Sequence, residues 1–267
     1  MKSTFALAGI ALALCTLAPA QENTDRVVIP ARNSTRPRKV TASTMQGSIT
    51  VKGYNGKEVI VESSGTTARS NRPATVDGMR RIDVPRGLSV EEQENQINIR
   101  VSPPGHGGIV ITVPTDTSLD LHTMSGSITV EGVNGEIVLD SMNSPVTATN
   151  VSGNVLAHTL NGAIKVSMDR VDATKPLSFI TLNGVIDVTL PPDYKGTVKM
   201  TTHNGAIYSD FDIRLGGGVI TQSNSSGDGR FKVRIGGENG YSGTINGGGP
   251  EATFKSHNGN IYIRKKK

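Results

Sequence analysis

The feature that most constrains this chain is a corner that keeps returning. It occurs at Met124-Ser125-Gly126-Ser127-Ile128, Leu160-Asn161-Gly162-Ala163-Ile164, Leu182-Asn183-Gly184-Val185-Ile186, His203-Asn204-Gly205-Ala206-Ile207 and His257-Asn258-Gly259-Asn260-Ile261. An earlier copy is Met45-Gln46-Gly47-Ser48-Ile49. Gly126, Gly135, Ser144, Gly153 and Gly162 follow one another at nine-residue steps, so two units make an 18-residue winding. From Asn161 to Asn183 the step is 22 residues and from Asn183 to Asn204 it is 21. A fixed period of this kind predicts stacked windings, each burying its apolar face only against its neighbours.

The segments between corners alternate with a period of two, as strands do and helices do not. Val155, Ala157 and Thr159 share one face; beyond the corner Ile164 and Val166 rejoin it, while Ala163 and Lys165 point away. The chain has 31 glycines, no tryptophan, five tyrosines and five phenylalanines. Thin windings filled with Val, Ile, Ala and Thr suit that composition. The predicted fold is all-β: a single-stranded β-helix or solenoid with windings of about 18–22 residues, capped by an irregular N-terminal part and a Gly-rich C-terminal part. Such caps would cover sheet edges that otherwise template aggregation.

Residues 1–20 read as a signal peptide. Lys2 is the charged start, Phe5 to Leu17 the apolar run, and Ala18-Pro19-Ala20 a small-residue cleavage site. The run is short for a membrane span, and the mature chain offers no transmembrane segment. Cys15, the only cysteine, lies in this run behind a bulky Leu12-Ala13-Leu14, which disfavours lipidation. Residues 21–39 form a polar linker, and 40–267 read as one domain without an internal linker. The expected location is therefore exported: periplasm, outer cell surface or secreted. The net charge of +5 is concentrated in Arg32, Arg36, Arg38, Lys39 and in Arg264-Lys265-Lys266-Lys267. These read as solvated chain ends or as a weak attraction for anionic polymer or headgroups. Without interleaved aromatics they do not suggest nucleic acid.

Four columns arise when the windings are stacked. Asn143, Asn161, Asn183, Asn204 and Asn258, with Ser125 and Gln46 at equivalent places, predict an amide ladder of structural value. Thr123, Ser141, Thr159, Thr181, Thr202 and Ser256 point inward, and no histidine–carboxylate pair is placed to make them nucleophiles. His122, Asp140 and His158 lie 18 residues apart and form an outward row, a candidate metal site or pH-sensitive patch. Met124, Met142, Leu160 and Leu182, continuing as His203 and His257, either form an exposed contact stripe or are turned beneath the 63–82 segment.

The Gly-Gly-x-Gly-x-Asp pattern of calcium-loaded rolls is missing, and Asp187, Asp193, Asp210 and Asp212 are too scattered to suggest a glycosidase pair. No catalytic residue and no cofactor is expected. Gly47-Ser48-Ile49-Thr50-Val51, Val113-Pro114, Leu119-Asp120-Leu121 and the Thr-x-(Ser/Asn)-Gly-x-Ile units resemble the bacterial "putative adhesin" β-strand-repeat family, also called toastrack, over residues 40–263. The resemblance implies a β-helix on an exported or membrane-anchored protein, with no catalytic residues to carry over. Relatives of that kind sometimes accompany membrane modules of envelope-stress systems. The expected function is a non-enzymatic cell-envelope protein that binds an envelope protein or surface polysaccharide, or serves as structure. The alternatives are a carbohydrate-active β-helix enzyme and the extracytoplasmic module of an envelope-stress system.

Overall fold

A computed structural model of the chain describes residues 25–30, 37–63, 75–76, 79–80, 88–101, 107–215 and 239–267. The expected signal peptide with Cys15, part of the 21–39 linker with Arg32 and Arg36, most of the 63–82 segment, and the Gly216–Gly229 turns lie outside the described residues.

The described residues are all-β, with no helix. Twenty strands join one sheet, and Thr75–Val76 pairs separately with Met79–Arg80. The pairing follows the repeat. Thr117–Ser125 runs parallel to Asn134–Ser141, with Leu119 opposite Ile137 and His122 opposite Asp140, and Asn134–Ser141 runs parallel to the second half of Val146–Asn161. Each of these steps advances the register by 18 residues. Across the corner, Ile128–Glu131 is parallel to the start of Val146–Asn161, which is parallel to Ile164–Val171. The inward residues are buried as the alternation predicts: Val155, Ala157, Ile164 and Val166 belong to the core, while Ala163 and Lys165 are exposed.

The neighbours in the sheet do not follow chain order throughout. Glu251–Asn258 lies between Leu177–Asn183 and Gly196–Asn204, parallel to both. Ile261–Lys265 likewise lies between Ile186–Leu190 and Ile207–Ser209. At the other end Arg38–Gln46 lies between Gln96–Val101 and Thr117–Ser125. Ile49–Tyr54 lies between Ile109–Pro114 and Ile128–Glu131. Ring stacking marks the C-terminal insertion. Phe254 meets Phe179 in the core at 5.2 Å, and on the surface His257 meets His203 at 4.8 Å and Tyr262 meets Tyr208 at 5.1 Å.

Beyond these parallel strands the pairing turns antiparallel. Leu88–Gln93 pairs with Gln96–Val101, and Val59–Ser63 joins Ile109–Pro114 to Asp25–Ile29. At the opposite end Asn239–Ile245 joins Gly196–Asn204 to Arg214–Leu215.

The basic C-terminus departs from a free, solvated end. Arg264 Nε donates to Asp187 Oδ1 at 2.7 Å, Lys266 Nζ pairs with Asp169, and the Lys266 amide donates to the Leu190 carbonyl. The strand pairing of Ile261–Lys265 carries Arg264 onto Asp187 of the adjacent strand and brings Lys266, just beyond it, to Asp169 on Ile164–Val171, one strand further. That leaves less charge to attract an anionic polymer.

Candidate functional site

The corner rows occupy one edge of the molecule. The asparagine row is continuous through side-chain amides. Asn161 Nδ2 donates to Asn143 Oδ1 at 2.9 Å, Asn183 to Asn161 at 2.8 Å, Asn258 to Asn183 at 2.7 Å and Asn204 to Asn258 at 2.7 Å. Asn258 therefore precedes Asn204 in space, because its winding is inserted. Each interior amide both donates and accepts along the row, so the ladder uses the two functions an Asn side chain offers.

Behind it the inward hydroxyls cap corner carbonyls. Thr181 donates to Gly162 O, Ser256 to Gly184 O, Thr202 to Gly259 O and Thr159 to Ser144 O. Thr123 Oγ1 and Ser141 Oγ are buried and have no hydrogen-bond partner among the described residues.

The methionine and leucine row faces outward. Met124, Met142, Leu160 and Leu182 are 44%, 45%, 44% and 43% exposed, and Met45 extends the row at 52%. A groove of about 690 Å³ runs along it, lined by Met45, Met124, Met142 and Leu160 with Arg100 and His122 at its side. Sequence reasoning placed Met45 at a corner without adding it to the stripe. The Thr44–Thr123 and Gln46–Ser125 pairings put it beside Met124.

The neighbouring polar row is a strip of alternating imidazole and carboxylate contacts. Asp140 receives both imidazoles, His122 Nδ1 at 3.2 Å and His158 Nδ1 at 3.3 Å. His122 Nε2 lies 2.7 Å from Asp120 Oδ1, whose other oxygen lies 2.9 Å from Lys39 Nζ. His158 Nε2 lies 3.2 Å from Ser178 Oγ. The two Nδ1 atoms thus share the Asp140 carboxylate, while the two Nε2 atoms lie against Asp120 and Ser178. Among the described residues no group of three His, Cys, Asp or Glu is placed to hold a metal. From the sequence Lys39 stands out only in a basic cluster and Asp120 only in the Leu119-Asp120-Leu121 motif; neither is assigned to this strip, though Asp120 stands two residues before His122 and so shares its face of the strand.

Burial raises the Asp120 pKa, but the hydrogen bond and charge of Lys39, with His122 beside them, outweigh it and hold the carboxyl below its ordinary 3.8. A carboxyl depressed in the folded state stabilises the protein above its unfolded value, and loses that contribution as pH falls through the folded one. Asp120→Asn is therefore expected to flatten the loss of unfolding free energy below about pH 4. Urea denaturation of both forms at pH 5 and pH 3 measures it. An equal loss in the two forms would refute the assignment.

Two solved structures with some likeness to this chain carry descriptions as putative adhesion proteins. One is "a putative cell adhesion protein from Clostridium sporogenes ATCC 15579", 11% identical, covering 91% of this chain and 100% of that one, with a TM-score of 0.41. Another is "a putative adhesin" from Bacteroides fragilis NCTC 9343, 12% identical, covering 93% of this chain and 99% of that one, with a TM-score of 0.32. No family model matches the chain, and no curated protein matches it. No helix among the described residues is long and apolar enough to cross a membrane, which says nothing of a β-barrel.

Proposed function

We propose that the chain is an exported, non-enzymatic cell-envelope protein that binds a partner in the manner its adhesin-like resemblance implies. In this reading residues 1–20 are a signal peptide, 21–39 a linker, and 40–267 a single β-solenoid with windings of about 18–22 residues. The 18-residue parallel register supports the solenoid, and the antiparallel strands at both ends support the caps.

The observation that carries the binding role is the exposed row Met45, Met124, Met142, Leu160 and Leu182. Apolar side chains in an unbroken line, rimmed by the asparagine ladder and the His–Asp strip, mark a contact surface. Methionine adapts to irregular apolar shapes, which favours the face of another envelope protein over a hydroxyl-dense polysaccharide. A binding rather than a catalytic role is supported by the pairing of Asp120, Asp169 and Asp187 with cations.

Immobilised protein incubated with envelope fractions tests this reading. The wild type is expected to capture an envelope protein that Met142→Lys/Leu160→Lys loses at unchanged circular dichroism. Equal capture by both forms, or retention of polysaccharide alone, would overturn it.

A further inference from the structure

The apolar row changes chemistry along its length. Three consecutive windings present methionine and the next two present leucine. Burial alone does not call for that distinction, since the two side chains are nearly interchangeable by volume. Among the described side chains the other methionines, Met168 and Met200, are 0% and 2% exposed in the core. Among the described side chains the exposed thioethers are thus gathered in a single row, on one groove.

Their register is set by the backbone. Thr44 and Gln46 pair with Thr123 and Ser125 on either side of Met45 and Met124. The Met142 amide donates to Thr123 O at 3.0 Å, and the Asn143 amide to Met124 O at 3.2 Å. Neighbouring strands stand roughly 4.8 Å apart. A metal–sulfur bond is about 2.3 Å, so two sulfurs sharing one ion can stand nearly 4.6 Å apart. Adjacent windings therefore supply almost the separation that bridging requires. Three rotatable bonds let the outer methionines lean toward the central one.

We propose that Met45, Met124 and Met142 form a thioether site for a soft monovalent cation, Cu(I), with Ag(I) as its redox-inert equivalent. Neutral thioethers select such ions over zinc, calcium or magnesium, which take nitrogen and oxygen donors. The site needs neither His122 nor His158, whose ring nitrogens already meet Asp120, Asp140 and Ser178. It does not rest on the partner-binding reading, because silver binding is measured at the sulfurs of the isolated chain.

The test is titration of the full chain, labelled with ¹³C at its methionine methyl groups, with silver nitrate in chloride-free buffer at pH 7 and pH 5. Three exposed methyl signals are expected to shift together and saturate at one equivalent, with Met168 and Met200 unmoved. Thioethers release no proton on binding, unlike imidazole or thiol ligands, so the affinity should be the same at both pH values. Met124→Leu/Met142→Leu should weaken binding beyond the roughly 10–100-fold that loss of a mere supporting group costs. Zinc should produce no shift. No shift at stoichiometric silver, undiminished binding in the leucine variant, or binding that fails at pH 5 would each overturn the site. The titration is read on the methionine methyls with no partner present, which keeps this outcome separate from that of the Met142→Lys/Leu160→Lys capture.

Discussion

Gly126→Ala is expected to lower stability by roughly 3 kcal/mol, from a left-handed backbone cost of about 1–2 and an overpacking cost of about 1–3. Gly126 has φ of +148°, and a Cβ there would stand 2.0 Å from the Gly47 carbonyl oxygen of the next winding. Neither atom can retreat, because the Gly47 amide is itself bonded to Ser125 O at 2.9 Å. For a chain of this size each kcal/mol shifts Tm by about 2–4 °C, so a fall of about 6–12 °C should appear on thermal melting. Gly132→Ala is the control. Its φ is +67°, but the nearest atom to its Cβ is Gly53 O at 3.9 Å. Only the backbone cost of about 1–2 kcal/mol should remain there. Equal losses at the two positions would show that the close approach of the windings is not what demands glycine at the corner.

The inserted winding makes a second large prediction. Phe254 is fully buried, stacks on Phe179, and is opposite Met200 on its other side. Phe254→Ala should cost about 3–5 kcal/mol, since a cavity would open between two windings that cannot close over it. The informative measurement is the double-mutant cycle with Phe179→Ala. A coupling of about 0.5–1.5 kcal/mol is expected for the stacked rings. Were the windings docked in chain order, Phe179 would face Met200 and the two phenylalanine substitutions would add within about 0.5 kcal/mol. Additivity would therefore reject the observed order.

Much of the site was legible because two periods overlay each other. The strand period of two decides which residues face outward, and the 18-residue step decides which outward residues become neighbours. His122, Asp140 and His158 could be aligned on that basis, and the structure places them in register. The exposure of Met124, Met142, Leu160 and Leu182 was not decided in that way. Alternation can fail at a corner, and only the surrounding structure shows those side chains open to solvent. Lys39 was missed as the partner of Asp120 because they come from distant parts of the chain and meet only once Arg38–Gln46 has docked on Thr117–Ser125.

The sequence by itself determined the corners, the inward and outward faces, and the composition of each column, because these depend on local geometry and a short repeat. Tertiary structure decided the order of the columns at both ends. It set Asn258 between Asn183 and Asn204, and Arg38–Gln46 between Gln96–Val101 and Thr117–Ser125. The reason is that the windings offer similar edges: a row of amides and carbonyls and a strip of small apolar side chains. A repeat that makes every winding compatible with many others cannot say which will be its neighbour. That choice belongs to side-chain fits between particular windings, such as Phe254 against Phe179 and Arg264 against Asp187.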